Sequence, residues 1–145
     1  MKKIVLLILF IYSLFAFGFD DFKKYFLQVG SNQTAKYLYE YVRDSNVVNE
    51  YFAKGFSYNY SYDKDIFRLI IKMPKNISIE NYKQLNSFID TTKRDIKKML
   101  CFDNVFKASL HTTVKLEFEI YNTRHNRRQE MIIYNKNKSV ACGLL

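Results

Sequence analysis

The chain has no tryptophan, one proline, four glycines, two cysteines and two histidines among its 145 residues. So little glycine and proline excludes a collagen-like chain and a linker-rich disordered one. It also leaves no glycine-rich loop of the kind that cradles phosphates. No serine stands in a nucleophile elbow, and no histidine stands at useful spacing from a carboxylate, so enzyme chemistry has little support. No segment repeats, and no low-complexity linker divides the chain. Acidic side chains are in deficit: 14 Asp and Glu face 23 Lys and Arg, a formal charge of +9. Such a charge suits nucleic acid, anionic lipid, phosphorylated glycan or an acidic protein. No nucleic-acid-binding motif accompanies it, so no nucleic-acid partner is expected.

What is present begins with the first eighteen residues. Lys2 and Lys3 precede a run from Ile4 to Phe17 that is almost wholly apolar, and Ala16 and Gly18 then supply small side chains. This is the pattern of a removable secretory signal, and the run is too short for a comfortable membrane span. The expected organisation is a signal peptide over 1–18 and one domain over 19–145. A retained N-terminal anchor is the alternative. No cysteine stands at the cleavage point, so no acylation is expected there. Residues 19–145 suffice for one domain and not for two.

Along the domain the hydrophobic period changes twice. Asp20 and Asp21 open a helical stretch carrying Phe22, Tyr25, Phe26 and Val29; a second carries Ala35, Leu38, Tyr39 and Val42. The two read as one helix broken near Gly30 to Asn32, followed by a turn over 45–49. Phe56, Tyr58, Tyr60 and Tyr62 then alternate with polar residues, and Phe67, Leu69, Ile71 and Met73 do the same, which predicts an antiparallel hairpin. Pro74 ends it. Ser78 is the expected N-cap of a long amphipathic helix with Tyr82, Leu85, Phe88, Ile89, Ile96, Met99 and Leu100 on one stripe. A connector over 102–109 leads to a strand in which Val114, Leu116, Phe118 and Ile120 face the core and Lys115, Glu117 and Glu119 face solvent. A long polar loop, Asn122 to Gln129, precedes a last strand over 131–134. The expected fold is α+β: a two-layer sandwich of one antiparallel four-stranded sheet with helices on one face, in the order α-β-β-α-β-β.

Cys101 and Cys142 are too far apart for a redox CxxC or a compact zinc knuckle. His111 and His125 do not complete a metal site with them. No metal and no cofactor is expected. In an oxidising compartment a structural disulfide is the natural reading; a catalytic thiol is the alternative.

The segment Phe56 to Cys142 resembles a group of small exported bacterial proteins of uncharacterised function. The pieces that carry the likeness are Phe56-Ser-Tyr-Asn-Tyr60, the helix ending Met99-Leu-Cys101, the strand Leu116-Glu-Phe-Glu-Ile-Tyr121, and Val140-Ala-Cys142. The chain departs from that pattern at His111-Thr-Thr-Val114, where a Gly-Val would enter the strand, and in its Arg-rich loop, where a short Asp-Gly hairpin would stand. The resemblance implies a compact two-layer α/β fold with a disulfide, and no established reaction.

Arg124, His125, Arg127 and Arg128 crowd the loop before the last strand, and Lys136 and Lys138 follow in the next turn. Arginine's planar fork suits carboxylate and phosphate, so the loop is the candidate partner-binding site; a solvated strand end is the plainer reading. The aromatic stripe Phe56 to Tyr62 reads as core more than as a ligand platform. The functional expectation is an exported, non-catalytic binding or accessory protein, periplasmic or secreted, whose partner is an envelope protein or an anionic envelope component. A small periplasmic hydrolase or thiol enzyme, or a membrane-tethered subunit, is the alternative.

Overall fold

The computed structural model describes residues 17–52, 56–78, 80–135, 140 and 142. The leader therefore lies outside the described residues but for its last two positions, and Lys136 and Lys138 lie outside them too. Among the described residues no helix is long and apolar enough to cross a membrane.

Helix α1, Phe19–Asp44, starts with Asp20 and Asp21 in its first turn, where carboxylates favour the dipole. Gly30 interrupts it at φ +81°, ψ 173°, a region that glycine adopts almost alone. In a straight helix Phe22 and Tyr37 would stand about 22 Å apart along the axis. Their ring centroids are 6.2 Å apart, and Tyr37 also meets Phe26 at 5.3 Å. The chain therefore folds back at Gly30, which is where the sequence predicts a break. A short helix α2, Val47–Tyr51, follows in place of the expected turn because Val47 and Val48 both reach the core.

Strands β1, Ser57–Asp63, and β2, Ile66–Lys72, form the predicted antiparallel hairpin. Helix α3, Tyr82–Phe102, is capped by Asn81, whose Oδ1 accepts from the Gln84 amide at 3.2 Å. Ser78 is thus not the cap; its hydroxyl accepts from the Glu80 amide in the preceding loop. The connector after α3 is helical as well: α4, Asn104–Ser109. Asp103 starts it by accepting from the Val105 and Phe106 amides at 3.0 Å, and Tyr41 donates a third bond to its other oxygen at 2.8 Å. Burial pushes the Asp103 carboxyl up despite those bonds. Strands β3, Lys115–Asn122, and β4, Arg127–Tyr134, complete the sheet.

The sheet order is β1-β2-β3-β4, and the two hairpins are antiparallel, but β2 and β3 run parallel. The sheet is mixed, not wholly antiparallel, and the element order gains α2 and α4. The reason lies in α3. Its 21 residues rise about 30 Å, longer than a seven-residue strand at about 23 Å. The chain leaves β2 at Lys72 and is carried back to the end where β2 began. There the Lys115 amide bonds the Asp65 carbonyl at 2.8 Å, and β3 starts beside Ile66. A helical crossover of this kind is what a parallel pair needs.

One alternating set from each inner strand enters the core. Phe67, Leu69, Leu116 and Phe118 pack with Phe26, Leu38, Ile96, Met99, Leu100 and Phe106 from the helices. A smaller cluster of Met73, Phe88 and Ile120 closes the end near Lys72. Tyr58 and Tyr60 of β1 are half-buried against the main core, whereas Tyr62 is 42% exposed.

Candidate contact surface

The other alternating set forms the sheet face opposite the helices. Its inner rows run Arg68, Glu117 and Ile133; then Ile70, Glu119 and Met131; then Lys72, Tyr121 and Arg128. Period-two polarity predicts solvated carboxylates here. Instead Glu117 is 2% exposed and Glu119 is 7% exposed. Long cations from the flanking strands and from β3 itself cover them. The Arg68 Nε and Nη2 both donate to Glu117 Oε2, at 2.8 and 2.6 Å. Lys115 reaches Glu117 Oε1 at 2.8 Å, while Arg68 and Arg128 each stand 3.3 Å from a Glu119 oxygen. Two carboxylates on one face of a central strand repel; three interleaved cations remove that cost. Burial alone would raise the Glu117 carboxyl, but hydrogen bonds from Lys115 and Arg68, with their charges, hold it below its usual range.

The predicted contact residues divide between this network and the turn beyond it. The loop is four residues, 123–126, not the long stretch expected, because β4 already starts at Arg127. Asn122 makes the tight turn by accepting from the Arg124 and His125 amides at 3.0 and 3.2 Å, and Asn126 adopts φ +48°. Arg124, His125 and Arg127 are exposed there. Arg128 lies opposite Tyr121 on the sheet face, holds Glu119, and donates to Met131 Sδ at 3.3 Å. A bulge between Ile120 and Tyr121 leaves Gln129 as the extra residue, and its buried Nε2 has no partner.

Two cations that the sequence does not place here join the turn. Since β2 and β3 are parallel, both end at this side, and Lys72 sits directly beside Tyr121. Lys75 follows and, with Thr123 and Arg124, lines a groove of about 470 Å³. Among the described residues no ion pair engages Lys72, Lys75, Arg124 or Arg127. One end of the sheet thus concentrates uncompensated positive charge.

Cys101 and Cys142 are bonded to each other with their Cα atoms 5.7 Å apart, and no cysteine is free. The bond fastens the end of α3 to the chain's last residues. Among the described residues no group of three or more His, Cys, Asp or Glu is placed to hold a metal ion. No protein-family model, curated protein or solved structure matches the chain.

Proposed function

We propose that the chain is an exported, non-catalytic binding protein of the bacterial envelope that holds an acidic partner surface at the basic end of its sheet. The single observation that carries this reading is the gathering of Lys72, Lys75, Arg124 and Arg127 at one end without carboxylate partners. Cations left open in this way attract acidic surfaces over several ångströms and speed encounter. Arg and Tyr are also the residues that most often anchor an interface, and Tyr121 lies amid them. The leader pattern supports export, and a disulfide suits an oxidising compartment. With both cysteines in that bond, neither is a free thiol, which favours the non-catalytic reading over a thiol enzyme.

The test compares wild type with the triple variant Lys75→Ala, Arg124→Ala, Arg127→Ala. Arg128 is left in place because it holds Glu119. Affinity capture from the envelope fraction, read by mass spectrometry, should recover an acidic partner with wild type and lose it with the variant. Thermal unfolding of the two should coincide, and recovery should fall as salt is raised. Equal recovery by both proteins rejects the site.

A further inference from the structure

The two edges of the sheet differ. The β4 edge carries Arg127, Arg128 and a bulge, which are devices that discourage another strand from pairing. The β1 edge has none of them. Its sequence, Ser-Tyr-Asn-Tyr-Ser-Tyr-Asp, holds no lysine, arginine or proline, and its only charge is at the last position. Among the described residues β1 pairs with β2 alone, through an unbroken seven-residue register. Ser57, Asn59, Ser61, Tyr62 and Asp63 are all exposed. The ring of Tyr39 of α1 lies tilted against those of Tyr60 and Tyr62, at 5.3 and 5.1 Å, and so backs the strand from the helix layer.

We propose that β1 is the interface of a homodimer, pairing antiparallel with β1 of a second copy to make one eight-stranded sheet. The sequence of the strand is self-complementary in that arrangement. With the two-fold axis at Tyr60, Tyr60 faces itself, Tyr58 faces Tyr62, Asn59 faces Ser61 and Ser57 faces Asp63. Aromatic pairs then share the helix side, and polar pairs share the open side. Charge complementarity fixes the direction. Ser57 neighbours Lys72, which neighbours Tyr121 and then Arg128, all on the open face. Antiparallel pairing adds Asp63 of the second copy to that row, two strands or about 10 Å from Lys72 and within reach of its side chain. A parallel arrangement would instead set the two Asp63 residues together. The dimer engages Lys72 of each basic end with Asp63 of the second copy and leaves Lys75, Arg124 and Arg127 open for an acidic partner. The interface therefore does not depend on the function proposed above.

The experiment is sedimentation equilibrium on the full chain, expressed with its own leader and purified with the disulfide intact. Wild type should be a concentration-dependent dimer. The variant Asn59→Lys, Ser61→Lys sets ammonium against ammonium twice across the axis and should raise the dissociation constant about tenfold. The variant Asn59→Lys, Ser61→Asp carries the same first change but sets opposite charges together, and should dimerise at least as well as wild type. Both positions are exposed, and because Ser61 lies opposite Arg68 in the sheet, thermal unfolding of each variant checks that the monomer fold is kept. A wild-type monomer throughout the concentration range overturns the proposal, whatever other strand occupies the edge. Equal dissociation constants for the two variants overturn it as well.

Discussion

Glu117 has almost no surface of its own, yet it lies on the face of the sheet that none of the described helices covers. Arg68 and Lys115 close over it, and both keep part of their length in water. The pair is therefore worth less than a fully buried one, and more than a free surface pair. Glu117→Gln keeps the shape and leaves two cations without their shared counter-charge. It should destabilise the domain by about 1–3 kcal/mol in urea titration at neutral pH. The sign with pH follows from the lowered carboxyl. The stabilisation is complete above the ordinary glutamate value of 4.5 and is lost as pH falls through the lower value held in the fold. The gap between wild type and Glu117→Gln should thus be flat near neutrality and close in acid. A gap independent of pH would mean that shape, not charge, is what Glu117 contributes.

At the scale of elements, the helices and strands follow the hydrophobic periods closely. The stripe of α3 and the alternation in β1, β2 and β3 are plain from apolar spacing alone. Strand direction is not, because it depends on where α3 returns the chain, a matter of length and docking that no local pattern encodes. Reading β3 as antiparallel to β2 therefore kept Lys72 and Lys75 away from the arginine turn. The solvent assignment of Glu117 and Glu119 failed for a related reason: polarity marks a residue as unsuited to oil, while neighbouring strands decide whether cations cover it. Helix α4 did have a signal, Asp103 set before Val105 and Phe106 as a cap. The break in α1 was legible because glycine is the residue that tolerates it. Gly30→Ala finds open space but keeps the strained backbone angle. It should cost about 1–3 kcal/mol by thermal or chemical unfolding. An unchanged midpoint would show that α1 straightens without penalty, against the packing of Tyr37 on Phe22 and Phe26.

For the molecule as a whole, the disulfide closes a loop of 41 residues from the end of α3 to the chain's end. Replacing both cysteines by serine should lower stability by about 4 kcal/mol in the chain-entropy account. That is a large part of the roughly 5–15 kcal/mol typical of a domain this size. Stability of the double variant equal to wild type would contradict a structural role for the bond. On the proposed reading, the basic end of the sheet meets an acidic partner in the envelope. Site-specific photo-crosslinking in living cells tests it most directly, with the probe at Thr123, in the groove beside Lys75 and Arg124, and a control probe at exposed Lys36 on the helix layer. A discrete crosslinked partner is expected from Thr123 and none from Lys36. Crosslinking to that partner from Lys36 with none from Thr123, or no product from either position, would contradict it.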